Sequence, residues 1–229
     1  MNKYEYLVLI PCRSGSKRIK NKNFIKIKNK MLFEYSLEHA EIIKEKFPSS
    51  IISISTDSKK IIRKKSIRYW TIPRPKKISG DKSKSTRYVE HAILFFKKKK
   101  IYFNNIIILQ PTCPIREKKD LINAIKFFNK SKSGSLISAY QEKYINENVK
   151  YKTKNSRGIP FSKKHNEGTD GKKLPAYYVR NGSIYIVSIK CFEKFKKIIL
   201  QKPLVFKMNK VNSLNIDTKD DLELIKRVI

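Results

Sequence analysis

The feature that most constrains this chain is the alternation of short runs that are apolar at every position with longer runs that are apolar at every third or fourth. Leu7-Val8-Leu9-Ile10 and Ile106-Ile107-Ile108-Leu109 are of the first kind, and residues 51–55, with serines among the isoleucines, read as a further buried strand. Residues 31–46, 85–100 and 120–129 are of the second. Leu32, Tyr35, Ser36, His39, Ile42 and Ile43 share one side of the first helical run, and Leu121, Ile122, Ile125 and Phe128 face inward on the third. A strand without polar alternation needs cover on both faces, and connections of helical length supply it. The pattern predicts a three-layer α/β/α, Rossmann-like fold with a mainly parallel sheet. A further helix is expected from Asp57 to residue 65 and a strand at 67–72. With 229 residues, the chain reads as a single domain, 1–229, able to bury a sizeable core.

The rhythm fails over residues 141–176, where Asn, Lys, Gly and Pro follow no clean period, and this stretch is expected to be an insertion or arm. Order returns with a strand at 183–188, and a helix carrying Leu222, Ile225 and Ile229 closes the chain.

Charge narrows the partners. There are 53 Lys and Arg against 19 Asp and Glu, a formal net charge of +34. Nucleic acid is the obvious candidate. The lysines, however, are spread over nearly every polar face, with no arginine-rich helix or RRM-type aromatic motif beside them. The expectation is weak non-specific binding, no specific nucleic acid, and a run at 97–100 that is a solvated helix end. The apolar start before Pro11 is too short for a signal peptide and nothing approaches a membrane span, so a cytoplasmic protein is expected. Cys12, Cys113 and Cys191 are odd in number and widely separated. They offer neither a disulfide framework nor paired zinc spacing, and read as reduced thiols or small core residues.

In open α/β sheets ligands bind beyond the carboxyl ends of the strands. The first strand ends in Pro11-Cys12-Arg13-Ser14-Gly15-Ser16-Lys17, a loop that runs on to Lys22 and Asn23. Small residues let backbone N–H groups approach an anion, while Arg13, Lys17 and Lys22 can neutralise several phosphate charges. It is neither a Walker A loop nor a dinucleotide fingerprint. The alternative is a basic surface connection between strand and helix. The second strand delivers Ser55-Thr56-Asp57, where Asp57 reads as a helix N-cap. The third delivers Gln110-Pro111-Thr112-Cys113-Pro114-Ile115-Arg116, whose Gln110 is either a reader of a base or sugar edge or a buried structural amide.

Six segments, in order, resemble the acylneuraminate cytidylyltransferase family, the CMP-sialic acid synthetases and their relatives. The first loop resembles Ile-Pro-Ala-Arg-x-Gly-Ser-Lys-x-Ile-x-x-Lys-Asn, with Cys12 in place of the alanine. Ser55-Thr56-Asp57 resembles the second-strand ending. Arg74-Pro75-Lys76-Lys77-Ile78-Ser79-Gly80-Asp81 resembles Arg-Pro-x-x-Leu-x-x-Asp, with Ser85 and Thr86 where the family places nucleotide-contacting hydroxyls. The Gln110 segment resembles Leu-Gln-Pro-Thr-Ser-Pro-Leu-Arg, and Asn181-Gly182-Ser183-Ile184-Tyr185-Ile186 resembles Asn-Gly-Ala-Ile-Tyr-Ile. There are two departures. Many family members carry a substrate-binding arginine where this chain has Val179, and here the cation sits one residue later, at Arg180. The family's Asp-x-Asp metal pair reads Asn215-Ile216-Asp217, and Asp217 also stands at a good helix start.

The resemblance implies a fold of the nucleotide-diphospho-sugar transferase type and transfer of CMP from CTP to an acidic nine-carbon sugar of sialic, legionaminic or pseudaminic type, releasing pyrophosphate. It implies catalytic roles for Arg13 and Lys22, and a nucleotide site made of Pro11, Cys12, Arg13, Ser14, Gly15, Ser16, Lys22, Asn23, Arg74, Ser85 and Thr86. It further implies sugar contacts from Gln110, Thr112, Arg116, Arg180 and Asn181, Mg²⁺ held by Asp217 and Asn215, and a homodimer formed through the arm at 141–176. Other expectations are another sugar nucleotidyltransferase, for example one acting on 3-deoxy-octulosonate, or a non-catalytic basic protein that binds nucleic acid.

Overall fold

A computed structural model describes residues 2–64, 66–142, 149–163 and 177–229. The chain begins with β1 (Asn2–Pro11), then a 3₁₀ turn (Lys22–Phe24) and the short ribbon of β2 (Lys26–Ile27) and β3 (Lys30–Met31). Next come α1 (Leu32–Lys46), β4 (Ser50–Thr56), α2 (Lys59–Arg63), β5 (Trp70–Pro73), α3 (Ser85–Lys97), β6 (Ile101–Leu109) and α4 (Lys118–Asn129). The second half holds β7 (Ser135–Glu142), β8 (Tyr151–Lys154), β9 (Arg157–Pro160), β10 (Tyr177–Ser188), α5 (Ile189–Phe195), β11 (Leu204–Met208) and α6 (Lys219–Val228).

Seven strands form one sheet in the order β11-β7-β10-β6-β1-β4-β5. All neighbouring pairs are parallel except the two made by β10, which runs antiparallel to β6 and to β7. The apolar runs have the two-sided burial expected of them. Tyr6, Val8 and Ile10 of β1 pack with Phe33, Leu37 and Ile43 of α1 and Leu121, Ile125 and Phe128 of α4. Leu7 and Leu9 point the other way, to Val89, Ala92 and Phe96 of α3 and Phe192 of α5. A third cluster joins Ile19 and Ile27 to Leu222 and Ile225 of α6, which ties the loop after β1 to the end of the chain. The central strands thus remove apolar surface from solvent on both faces, at roughly 25 cal/mol per Å², the dominant favourable contribution to folding.

Two boundaries differ from expectation. The strand expected at 67–72 is Trp70–Pro73, because only Ser53 to Thr56 of β4 offer it a partner, and Ile67 stays fully exposed. Part of the stretch expected to be an arm is regular structure. Gln141 and Glu142 belong to β7, and β8 and β9 pair as an antiparallel hairpin. Its turn residues Asn155 and Ser156 both take left-handed φ, 51° and 62°, as a two-residue turn matched to strand twist requires. The rest of the expected arm, 143–148 and 164–176, and residue 65 at the end of the expected second helix, lie outside the described residues. No helix among the described residues is long and apolar enough to cross a membrane.

Candidate active site

From β1 the chain crosses to β4 and β5 on one side and then returns to β6 on the other, so the order reverses between β1 and β6. A crevice opens outside the carboxyl ends of strands at such a point. Here it is a cleft of about 550 Å³ into which the loops after β1, β5 and β6 converge with the segment preceding α6. Five cationic side chains line it, Arg13, Lys17, Arg18, Lys22 and Arg74, against two carboxylates, Asp81 and Asp217. Such an excess of fixed positive charge in a concave, low-dielectric setting favours a polyanion.

The loop after β1 is held from behind. Asn23 Nδ2 donates to the Arg13 carbonyl at 2.9 Å, and Asp57 accepts from Ser14 N at 2.7 Å and from Ser14 Oγ at 2.9 Å. This corrects the reading of Asp57 as a helix cap. Ser58 occupies the N-cap position of α2, with no side-chain cap, while Asp57 turns toward the first loop because β1 and β4 are parallel neighbours whose ends arrive side by side. Lys22 donates to the Ile216 carbonyl and to Asp217 Oδ1 at 3.2 Å, which joins the loop to the opposite wall. An ideal Cβ on Gly15 would meet nothing within 4 Å, so the chain itself does not require glycine there.

Arg74 is the least satisfied group in the cleft. It is 6% exposed, its guanidinium carbon stands 4.5 Å over the Tyr88 ring, and Nε donates to Ser55 Oγ at 3.2 Å. Its Nη2 is buried with no partner. A charged donor left this way costs more than the hydrogen bond it lacks. Desolvation holds the Arg74 pKa below the ordinary arginine value. The same cause raises the Tyr88 phenol to about 12, so Tyr88 stays protonated at neutral pH. Ser85, at the first turn of α3, completes this wall.

Opposite them the Gln110 side chain lines the cleft, whereas its carbonyl is held from beneath by Arg116 Nη2 at 2.6 Å. An ideal Cβ on Gly182 would come within 3.2 Å of Gln110 Oε1, and φ there is +76°, so both sterics and backbone favour glycine beside this amide.

Several expected site residues are placed elsewhere. Arg116 is 6% exposed; besides Gln110 it donates to the Ser183 carbonyl and to Ser36 Oγ, and its Nη1 lies 3.3 Å from His39 Nδ1. It is a clamp under the site, without a face toward substrate. Burial lowers its pKa to about 10 and, with the neighbouring guanidinium, that of His39 to about 3, so His39 is neutral. Asn181 is also buried, accepting from Ser138 Oγ and Ser183 N and donating to Ser213 Oγ and Met208 Sδ. These bonds lock the bulge that shifts the β10–β7 register between Arg180 and Tyr185. Arg180 is exposed on β10 outside the cleft, and its charge acts on Tyr185. Cys12 is fully buried with its thiol pKa raised by desolvation, and Thr86 is half-buried on α3 outside the cleft.

At the metal position Asn215 turns its Nδ2 donor to Asp217 Oδ2 at 3.0 Å, while its Oδ1 faces Cys113 Sγ at 3.6 Å. In this arrangement Asn215 orients the Asp217 carboxylate, and its own amide oxygen faces the Cys113 thiol. Asp217 is not the cap of α6 either, since Thr218 and Asp221 form the capping box. Its carboxylate is half exposed and faces Lys22 and Arg18. Asp81, Tyr88 and Arg18 had not been expected in the site. The sequence signal for Tyr88 is its place one helical turn after Ser85; for Asp81, its place seven residues after Arg74 in a motif whose acid had no role assigned.

Fold and cleft together define a class: a Rossmann-like α/β protein with a polyanion cradle at its switch point. Comparison with known proteins makes this specific. The family model described as cytidylyltransferase matches residues 7–228, and the chain belongs to that family. It is 29% identical to the pseudaminic acid cytidylyltransferase of Campylobacter jejuni strain 81-176 over 96% of this chain and 94% of that one. Identity is 26% with the CMP-N,N'-diacetyllegionaminic acid synthase of Legionella pneumophila, over 97% and 95% respectively. The N-acylneuraminate cytidylyltransferase of Escherichia coli O18:K1:H7 is 26% identical over 95% of this chain, which spans only 50% of that longer protein. Among solved structures, a CMP:2-keto-3-deoxy-manno-octonic acid synthetase complexed with CTP superposes with a TM-score of 0.63 at 14% identity, covering 98% of each chain. The 2-C-methyl-D-erythritol 4-phosphate cytidylyltransferase of Francisella tularensis gives 0.64 at 13%, covering 98% of this chain and all of that one. At such identities the two structures speak for the fold alone.

Proposed function

We propose that the protein transfers CMP from CTP to an acidic nine-carbon sugar with release of pyrophosphate. The observation that carries this reading is the cleft itself: four loop cations beside a buried arginine whose Nη2 has no partner. The relatives named for pseudaminic, legionaminic and N-acylneuraminic acids support the sugar class. In the reaction the sugar hydroxyl attacks the α-phosphorus, the new P–O bond replaces the bond to the leaving pyrophosphate, and the hydroxyl proton passes to solvent or phosphate. The protein's work is alignment and neutralisation of charge on the leaving group.

Arg13 beside the Asp81 wall and Lys22 beside the Asp217 wall take phosphate oxygens, as Lys17 and Arg18 at the exposed rim attract the nucleotide. Arg74 Nη2 donates to a nucleotide oxygen, with Ser85 beside it. Gln110, held by Arg116, faces the sugar side, and Thr112 stands next to it.

Mg²⁺ fits the donor set in one manner only. Among the described residues no three His, Cys, Asp or Glu side chains cluster as an all-protein cage. One carboxylate, Asp217, suffices for a cation that keeps its waters and leans on substrate phosphates. When bound, such a cation offsets phosphate charge. We also propose a homodimer in which the arm contributes to a neighbouring subunit, testable by light scattering of the intact protein.

Incubation with Mg²⁺, CTP and, in turn, sialic, legionaminic and pseudaminic acids should release pyrophosphate with at least one of them. Turnover confined to another nucleotide or to another sugar class, such as 3-deoxy-octulosonate, would overturn the assignment.

A further inference from the structure

The cradle's leading cation is not idle in the free protein. Arg13 Nη2 lies 2.6 Å from Asp81 Oδ1, its Nη1 donates to the Ser79 carbonyl at 3.3 Å, and Lys17 Nζ lies 4.0 Å from Asp81 Oδ2. Arg13 comes from the loop after β1 and Asp81 from the segment that joins β5 to α3, so the pair spans two walls of the cleft. The two side chains are 31% and 32% exposed. A guanidinium binds carboxylate and phosphate oxygens through the same forked donors, so a phosphate and Asp81 compete for one partner.

Asp81 has little else to do. Among the described residues its carboxylate meets Arg13 and Lys17 but no backbone N–H, and the turn around it is closed by main-chain atoms, Ser83 N to Gly80 O at 3.0 Å. This separates it from Asp57, which holds the loop's own N–H, and from Asp217, which pairs with Lys22 and Arg18 and accepts from Asn215.

Resting on the nucleotide reading above, we propose that Asp81 is a positioning residue that acts as an internal stand-in for phosphate. It keeps Arg13 aimed into the cradle when no nucleotide is bound, is displaced when phosphates arrive, and returns to Arg13 as pyrophosphate departs. The acid therefore weakens polyphosphate binding and speeds product release. If Asp81 merely shaped Arg13 for binding, its loss would weaken binding instead. The two roles differ in sign.

The test is calorimetric titration of inorganic pyrophosphate into the wild-type protein, Asp81→Asn and Asp81→Ala at fixed ionic strength, first with EDTA and then with saturating Mg²⁺. The alanine variant is needed because Asn retains an acceptor oxygen. Pyrophosphate should bind about three- to tenfold tighter to the alanine variant in both conditions, the scale of a partly exposed ion pair plus the loss of one like charge beside the ligand. Inhibition of turnover by pyrophosphate should strengthen by the same factor, with Tm nearly unchanged. Equal or weaker binding by the folded variants overturns the proposal. So does unfolding of both, because the pair would then serve the fold. If the wild-type protein binds neither pyrophosphate nor CTP, the nucleotide reading itself fails.

Discussion

Replacing Arg74 with methionine sets fold against function. In the free protein the change removes the Nε bond to Ser55, worth about 1.5–3 kcal/mol for a charged donor, and the contact over Tyr88, about 0.5–2 kcal/mol. It also removes a buried charge whose Nη2 is unpaired, which relieves about 1–3 kcal/mol or more. Methionine fills much of the same volume in a site that is 6% exposed. The terms oppose: losses of about 2–5 kcal/mol against a relief of about 1–3 kcal/mol leave a net loss of about 4 kcal/mol at most, a fall in Tm of no more than roughly 8–16 °C for a domain of this size. No such cancellation operates on binding. A nucleotide that satisfies Nη2 loses a charge-assisted hydrogen bond of about 1.5–3 kcal/mol, a tenfold to roughly 150-fold rise in the Kd of CTP. Thermal melts and calorimetry on one preparation read both quantities. An unchanged Kd in folded Arg74→Met would refute the assignment of Nη2 to the ligand, and a collapse in Tm that accounts for the lost binding would make Arg74 a structural residue.

Asp57→Ala should free the loop at Ser14 and raise the Kd for CTP about tenfold, the equivalent of one net charge-assisted hydrogen bond, with a small drop in Tm; a Kd identical to wild type would show that the loop needs no such anchor. Asp217→Asn should leave the melting of the fold nearly unchanged, since Thr218 and Asp221 cap α6, yet shift the Mg²⁺ activation curve to much higher concentration, and coincident curves would remove Asp217 from the metal. His39, held neutral in the fold down to about pH 3, gains its proton near pH 6.5 once unfolded, so the unfolded state binds the extra proton between those limits. Stability therefore falls as pH drops from 6.5 toward 3, and His39→Gln should flatten that fall by up to one proton in a plot of unfolding free energy against pH.

What the sequence by itself determined was everything that depends on local pattern. Leu7 to Ile10 and Ile106 to Leu109 are apolar on both faces, and such strands need the interior of a sheet covered by helices on both sides. With the strand ends so placed, Arg13, Lys22, Arg74, Ser85, Gln110 and Asp217 were legible as candidates, and the structure brings all six into one cleft. Tertiary structure decided how each polar group spends its hydrogen bonds. Asp57 looks like a cap because it precedes a helix, but the parallel pairing of β1 with β4 delivers Ser14 to it instead. Arg116 and Asn181 look like ligands because they are polar and lie in site motifs, yet the carbonyl of Gln110 from the same turn, the carbonyl of Ser183 and the hydroxyls of Ser36, Ser138 and Ser213 from distant elements leave them no donor for a substrate. The hairpin at 151–160 escaped notice because both its strands are exposed, so no hydrophobic period marks them. Sequence pattern reports burial through the regularity of apolar residues. Hydrogen-bond partners chosen across tens of residues follow no period and appear only when the chain is folded.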